Sequence, residues 1–182
     1  LAVALPSSYE QIQAVLQTCH QLGVPVVARG AGTGLSGGAM PHERGVTLSL
    51  AKFNQILKID PLARTATVQC GVRNLAISEA AAAHGLYYAP DPSSQIACTI
   101  GGNVAENSGG VHCLKYGLTV HNVLHVRGFA VDGSPIEFGA QSLVELVLFA
   151  DVAAGQHVPH GGAVGREDGR QRRLDHHLAG AG

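Results

Sequence analysis

The sequence has few of the features expected of a nucleic-acid-binding protein or a disulfide scaffold. Its formal net charge is -1, and its only lysines, Lys52, Lys58 and Lys115, are too scattered to form a basic face for phosphates. Its 4 cysteines contain no C-x-x-C pair, which argues against a zinc knuckle and indicates a reduced intracellular protein. No apolar run approaches the roughly 20 residues of a membrane-spanning helix. We expect no nucleic-acid partner and no transmembrane segment.

Charged residues are also scarce, at 14%, whereas hydrophobic residues make up 46% of the 182 residues. A chain of this composition can bury a sizeable core, and its composition argues against global disorder. The length fits one domain, or two small domains that share a core. The chain begins at Leu1 without a methionine, a signal peptide or a polar leader, and we expect it to be a fragment of a longer protein.

Residues 1–28 have the pattern of a β-α-β unit, and a third strand is predicted after the loop that follows. Ser7 and Glu10 have the spacing of a capping box and open an amphipathic helix, which Gly23 is expected to end. Strands are predicted at residues 2–6, 25–28 and 45–50. The second of these strands runs directly into a loop, "RGAGTGLSGGAMP", that is rich in glycine.

From Phe53 onward the pattern is antiparallel. Strands are predicted at residues 54–60 and 64–70, and a hairpin is predicted around Asp132-Gly133. Asn74 is expected to cap an alanine-rich helix that Gly85 ends. Residues 87–117 are rich in Pro, Ser, Asn and Gly, and we predict a long irregular segment there, which is usually functional.

Beyond Gly139 the pattern weakens. The apolar stretch that starts at Leu143 is interpreted as a helix, and residues 140–182 as a whole are predicted to be a divergent, disordered tail. The spacing of His112, Cys113 and His121 fits no common zinc site, so we predict structural roles for them and no metal. Composition bias accounts for the histidines of the tail, which are His157, His160, His176 and His177.

The glycine loop matches two phosphate-binding motifs only by its letters. A Walker-type loop needs a lysine and a Ser or Thr after the last glycine, where this chain has Gly37-Gly38-Ala39. Gly32, Gly34 and Gly37 match the G-x-G-x-x-G of a nicotinamide-binding Rossmann fold. That motif requires a helix to begin inside it, and Pro41 and Gly45 leave no room for one.

A third interpretation is a loop that binds an anion without any helix. Successive backbone N–H groups can form a concave nest, and glycine permits the dihedral angles that a nest needs. Thr33 and Ser36 add hydroxyl donors, and Arg29 stands at the entry of the loop. Four or five hydrogen bonds to a charged group, at about 1.5–3 kcal/mol each, could offset the lost hydration of a buried pyrophosphate.

The glycine loop is part of the first of two long motifs in this sequence. "VARGAGTGLSGGAMP" and "APDPSSQIACTIGGNVAENSGGVHCLKYGLTVHNVL" together resemble the FAD-binding domain of the FAD-linked oxidases, which include vanillyl-alcohol oxidase and D-lactate dehydrogenases. Within that family the chain is most similar to the FAD-linked subunit of glycolate oxidase. The resemblance covers residues 1–139. It implies an α+β fold of the PCMH type, with a small β-α-β subdomain (about 1–50) and a larger subdomain with an antiparallel sheet and flanking helices (51–139).

The resemblance also implies the cofactor and its contacts. FAD would lie between the two subdomains, with its pyrophosphate on the first motif: Arg29, Gly30, Ala31, Gly32, Thr33, Gly34, Leu35 and Ser36. The second motif would line the flavin through Pro90, Asp91, Pro92, Ser93, Ser94, Thr99, Gly101, Gly102, Asn103 and Asn107, with Ile96 and Ile100 on the ring face. Asn103 and Asn107 have an alternative role as braces of their own backbone, and Asp91 as a turn residue between prolines.

The expected function is that of the FAD-binding domain of a 2-hydroxy-acid oxidoreductase of the glycolate or D-lactate type. Some relatives attach flavin through a histidine in the first loop; Gly32, Thr33 and Gly34 stand there instead, so non-covalent binding is predicted. The substrate domain and the catalytic residues are not recognisable, so the fragment alone is expected to be inactive. We expect a cytoplasmic protein, with attachment to the inner membrane in a complex of oxidase subunits as the alternative. A Rossmann-type NAD enzyme and a folded remnant without activity are the other hypotheses.

Overall fold

Three parallel strands and one helix form the first part of the chain. The computed structural model describes residues 2–139 and 147–151. Its first elements are β1 (Ala2–Ala4), α1 (Tyr9–Gln21), β2 (Val26–Arg29) and β3 (Val46–Ser49). β3 pairs in parallel with both β1 and β2, so the sheet order is β1-β3-β2. The predicted β-α-β unit is therefore present, with the third strand inserted between the first two.

Helix α1 begins one residue later than the predicted capping box. The N-cap is Ser8, whose hydroxyl accepts a hydrogen bond from the backbone N–H of Gln11 at 3.4 Å. The prediction of Ser7 and Glu10 was wrong by one position, because the pair Ser8-x-x-Gln11 has the same spacing. Gly23 ends the helix as predicted, with φ +63°.

The buried face of α1 packs against the end of the small sheet. Ile12 and Leu16 are buried in one hydrophobic cluster with Leu48 and Phe53. The ring of Tyr9 lies 5.3 Å from the ring of Phe53, between centroids. Residue 53, the start of the next region, thus belongs to the core of the first region.

A second, antiparallel sheet carries the larger core. Its strands are β4 (Ile56–Asp60), β5 (Thr65–Val68), β6 (Leu86–Tyr88) and β9 (Val147–Asp151), in the order β4-β5-β9-β6. Helix α2 (Asn74–Ala81) continues as a 3₁₀ turn over Ala82–His84 and ends at Gly85, at φ +68°. Ile77 of α2 is completely buried among Ala66, Leu86 and Tyr88.

Strand β9 corrects the interpretation of residues beyond 139. A helix was expected in the apolar stretch that contains residues 147–151, but these residues form a strand that pairs antiparallel with β5 and β6. A short apolar run suits either a helix or a buried strand, and here the strand joins two hydrogen-bonding edges. The other residues of the predicted tail, among them the four tail histidines, lie outside the described residues.

The segment 87–117 is more regular than predicted. It contains the end of β6, helix α3 (Ile100–Glu106) and helix α4 (Cys113–Tyr116), and α5 (Thr119–Asn122) follows. Gly101, Gly102 and Asn103 are therefore helical, although glycine has low helix propensity. The predicted hairpin is confirmed as β7 (His125–Phe129) and β8 (Pro135–Gly139), with Gly133 in its turn at φ +81°.

No helix in the described part of the chain is long and apolar enough to cross a membrane.

Candidate functional site between the glycine loop and helix α3

The glycine loop leaves β2 and reaches β3 without any helix. None of residues 30–45 is helical, and Gly32 and Gly37 have φ values of +71° and +78°. These positive values are conformations that residues with a Cβ rarely adopt. The helix that a Rossmann fingerprint requires is absent from residues 30–45, so that alternative lacks its structural context.

Arg29 supports the loop from its base. Its Nη1 donates a hydrogen bond to the carbonyl oxygen of Ala39 at 3.3 Å, across the two ends of the loop. A Cβ on Gly32 would lie 2.6 Å from the guanidinium carbon of Arg29. The loop backbone therefore rests directly on a positive charge, which favours an anion on the loop.

The outer side of the loop is open to solvent. Ala31, Thr33 and Gly34 are exposed, and the side chain of Leu35 is fully exposed. Ser36 is exposed as well, and its hydroxyl donates to the carboxylate of Glu106, with Oγ and Oε2 3.2 Å apart. Residues 31–36 thus present backbone and hydroxyl groups at an accessible surface.

The second motif approaches the loop at Thr99, just before α3. A Cβ placed on Gly30 would overlap the hydroxyl oxygen of Thr99, so only glycine permits this approach. The residue Thr99 is 8% exposed, and its hydroxyl oxygen has no hydrogen-bond partner among the described residues. A buried hydroxyl without a partner is costly unless a ligand or a water satisfies it. The two motifs therefore meet at Gly30 and Thr99, where one hydroxyl lacks a hydrogen-bond partner in the described residues.

The other end of α3 meets the same loop through Glu106. Its Oε1 lies 3.2 Å from the position of a Cβ on Gly34 and 3.3 Å from that on Gly38. The two predicted motifs therefore face each other along the length of α3, from Thr99 to Glu106. Glu106 was not among the residues predicted for the site, and nothing in its neighbourhood along the chain signals this contact.

A buried pair of amides holds α3 against α2. Asn74 is 0% exposed and Asn103 is 2% exposed, and Asn103 Nδ2 donates to Asn74 Oδ1 at 2.8 Å. Asn74 Nδ2 in turn donates to the carbonyl oxygen of Pro90 at 3.0 Å. The predicted role of Asn74 as a helix cap was wrong, because the N-cap is Arg73 and Asn74 faces inward. Asn103 has the bracing contact that the sequence left open beside cofactor contact.

Asp91 and Asn107 also make contacts within the protein. Asp91 Oδ2 lies 2.6 Å from Nδ1 of His112, and Asp91 Oδ1 accepts from the backbone N–H of His112 at 3.2 Å. Asn107 ends α3 in the left-handed conformation, at φ +50°, and its Oδ1 accepts from the N–H of Val120 at 3.0 Å. These contacts hold the second motif in one shape, which a binding surface requires.

The remaining residues of the second motif form the turn that leads to Thr99. The carbonyl oxygen of Pro92 accepts from Gln95 and that of Ser94 from Cys98, both at 2.8 Å. Ser93 is exposed in this turn, and Ile96 is 65% exposed. Ile100, by contrast, is buried in the core cluster of α2 and cannot offer a free face to a ring.

The histidines considered for a metal site have other contacts. His112 pairs with Asp91, and Nδ1 of His121 accepts from the backbone N–H of Leu118 at 3.0 Å. The described residues contain no group of three side chains that could hold a metal ion.

Three groups in and near the second sheet have raised pKa values. Burial raises the pKa of the Cys70 thiol, and Cys70 packs against Gly101. Burial also raises the pKa of Tyr87 and of Tyr88 above the usual phenol value. These groups stay protonated at neutral pH.

Comparison with known proteins places this geometry in a family. The model of the FAD binding domain matches residues 1–139. The glycolate oxidase subunit GlcD of Escherichia coli (strain K12) is 64% identical over 143 residues, which are 79% of this chain and 29% of that protein. The D-lactate dehydrogenase of Archaeoglobus fulgidus is 40% identical over 141 residues, 78% of this chain and 31% of that protein.

A solved structure supports the same fold class. Alkyldihydroxyacetonephosphate synthase superposes with a TM-score of 0.67 at 25% identity, over 78% of this chain and 27% of that protein. The predicted α+β fold of the PCMH type is confirmed. The chain spans about 30% of the length of these curated relatives. FAD is the cofactor of the family, and this chain belongs to the family of FAD-binding domains.

Proposed function

We propose that this chain holds FAD non-covalently, with the diphosphate on the glycine loop, as the cofactor domain of an oxidoreductase for 2-hydroxy acids. The observation that carries the proposal is the meeting of Gly30 with the buried, unpartnered hydroxyl of Thr99. It supplies one donor from each motif at one place. Arg29 beneath the loop adds the positive charge that a diphosphate needs.

The loop would hold the anion mainly through its main chain. Residues 30–36 would donate backbone N–H groups, and Ser36 and Thr33 would add hydroxyl donors. Hydrogen bonds to charged groups stabilise by about 1.5–3 kcal/mol each. Because residues 31–36 are exposed, the ligand can reach them without opening the core.

The second motif would bound the flavin. Asp91, Pro92, Ser93 and Ser94 lie in the turn before α3, which the Asp91–His112 contact ties down. Gly102 lies in the first turn of α3 and would keep that surface free of a side chain, whereas Gly101 lets the helix approach Cys70. Asn103 and Asn107 would support the surface through their contacts within the protein rather than touch the ring.

The proposed substrate class follows from the relatives. Glycolate and D-lactate are both 2-hydroxy acids, and those names belong to proteins that are 64% and 40% identical to this chain. When bound, the flavin supplies the acceptor for the electron pair of a C–H bond. The residues described here would bind and orient it. Substrate binding, proton removal, partner subunits of the oxidase and a cytoplasmic or membrane-peripheral location would belong to the whole protein.

Thermal unfolding with and without FAD tests the proposal. A ligand that binds only the native state raises the midpoint of unfolding. Gly34→Val is the sharpest variant, because Gly34 has an ordinary φ and only the Glu106 side chain near its Cβ position. We expect it to fold and to lose the FAD-induced shift, since the valine side chain covers the anion surface.

Gly128→Val is the matched control, because Gly128 lies in strand β7 with its Cβ position 4.0 Å from the nearest side-chain atom. This variant should keep the full FAD-induced shift. Equal shifts in both variants would overturn the diphosphate site. A second measurement addresses the attachment: acid precipitation should leave the flavin in the supernatant, and flavin in the pellet would contradict non-covalent binding.

A further inference from the structure

We propose that Glu106 is a built-in competitor of the cofactor: its carboxylate rests on the anion-binding face of the glycine loop, and the diphosphate of FAD displaces it. This inference rests on the proposed function, because it concerns the same loop. It adds an acidic residue that opposes binding to a site otherwise built from donors.

The contacts of Glu106 are those that an anion would make. Oε2 accepts a hydrogen bond from the hydroxyl of Ser36 at 3.2 Å. Oε1 lies against Gly34 and Gly38, at 3.2 and 3.3 Å from their Cβ positions. One carboxylate therefore uses the serine donor of the loop and covers two of the surfaces that glycine leaves bare. A diphosphate could not take the Ser36 hydroxyl while Glu106 holds it.

Glu106 is free to move aside. It is an exposed residue at the last position of α3, and the backbone turns away at Asn107 through the left-handed conformation. Its backbone does not need to change for the side chain to rotate into solvent, since the contact with Ser36 is itself exposed. Displacement of the Glu106 side chain would therefore break one exposed hydrogen bond, to Ser36. It would also leave the repulsion between the Glu106 carboxylate and the bound diphosphate.

The negative charge of Glu106 is what lowers the affinity for FAD in this proposal. Two like unit charges about 4 Å apart in water repel by an amount that corresponds to about a fivefold change in affinity. Exposed charges are screened, so this effect must weaken when the ionic strength rises. Glutamine keeps the shape of the side chain and an oxygen that can accept from Ser36, but it carries no charge.

The experiment measures the dissociation constant of FAD by fluorescence titration for the wild type, Glu106→Gln and Glu43→Gln. Glu43 is an exposed acid in the same β2–β3 connection, so its variant changes the net charge equally without touching Gly34 or Gly38. We expect Glu106→Gln to bind FAD about three- to tenfold more tightly at low ionic strength. Glu43→Gln should change the constant by less than about twofold, because it is a screened surface charge.

Salt and a second ligand sharpen the result. The advantage of Glu106→Gln should shrink between about 0.05 M and about 0.5 M salt. ADP carries a diphosphate but no flavin and should show the same preference, whereas riboflavin, which has no phosphate, should show none. Equal or weaker FAD binding by Glu106→Gln would overturn the inference, and weaker binding would mean that Glu106 holds the loop in its binding shape.

The Gly34→Val variant separates the two failures. If Gly34→Val loses FAD while Glu106→Gln binds like the wild type, the diphosphate site stands and only the competition is wrong. If Gly34→Val binds FAD normally, the diphosphate site itself is wrong, whatever Glu106→Gln does.

Discussion

The two motifs that meet at the candidate site are held in shape by different means. The glycine loop is exposed, poor in side chains, and shaped by positive φ values and by Arg29 at its base. The second motif is anchored by two buried amides, since Asn103 bonds to Asn74 and Asn74 bonds to Pro90. The shape of the glycine loop depends on the absence of Cβ atoms, and the shape of the second motif depends on buried polar side chains.

This difference separates binding from folding. Substitutions in the loop should change affinity for FAD with little effect on stability, because few buried contacts are lost there. Substitutions behind the second motif should change stability first, because each removes a partner from a buried polar group.

The largest effect is expected for Asn74→Ala. This substitution leaves the buried amide of Asn103 and the carbonyl oxygen of Pro90 without the hydrogen bonds that Asn74 makes to them. We therefore expect the free energy of unfolding to fall by about 3 kcal/mol. Urea unfolding followed by circular dichroism measures it. The control is Asn54→Ala at an exposed position, which should stay within about 0.5 kcal/mol. A loss below about 1 kcal/mol for Asn74→Ala would contradict the claim that buried amides anchor the second motif.

Two neighbouring glycines of α3 give the next effect. A Cβ on Gly101 would lie 2.8 Å from Cβ of Cys70, so Gly101→Ala should destabilise by about 2 kcal/mol. A Cβ on Gly102 meets only Thr99 Oγ1, at 3.4 Å, so Gly102→Ala should stabilise the helix by about 0.5 kcal/mol. The same urea experiment compares them, and effects of the same sign in both variants would contradict the packing.

The difference in stability between Tyr88→Phe and the wild type should depend on pH only at high pH. Burial raises the pKa of the Tyr88 phenol in the folded chain, whereas in the unfolded chain it ionises near pH 10. The stability from the neutral phenol is therefore fully present below pH 10 and lost as the pH rises above it. Relative to Tyr88→Phe, the wild type should lose about 1 kcal/mol near pH 11. Parallel curves for both proteins from pH 8 to 11 would show that Tyr88 titrates normally.

The smallest effect is expected for Asp91→Asn. Its partner is an exposed imidazole, with 63% of the His112 side chain accessible, and such pairs contribute only about 0.5 kcal/mol. His112→Gln should match it, and the double variant should cost no more than either single one. A loss of several kcal/mol would show that the turn before α3 is held like the core, and the contrast between the motifs would lose its meaning.

The sequence predicted local features better than the role of any buried polar residue. The helix stops at Gly23 and Gly85 and the turn at Gly133 were correct, because positive φ strongly favours glycine. Asn74 was expected at a helix end, since asparagine often caps, but the structure buries it. Burial depends on what packs from elsewhere, and no local pattern reports it.

The same limit explains the errors at α3 and β9. Gly101 and Gly102 made a helix improbable by propensity, but the close approach of Gly101 to Cys70 requires glycine at position 101, and tertiary packing outweighs propensity. Residues 147–151 had no alternation that distinguishes strand from helix, and their pairing with β5 and β6 makes the difference.

By itself the sequence determined the β-α-β order, the helix ends at Gly23 and Gly85, and the two motifs that mark an FAD-binding domain. Those features depend on neighbouring residues, whose dihedral preferences act over a few positions. Only the tertiary structure decided that Asn103 bonds to Asn74, 29 residues away, and that Glu106 lies on Ser36, 70 residues away. Such contacts arise because tertiary packing brings together side chains that are distant along the chain, which no local pattern of residues encodes.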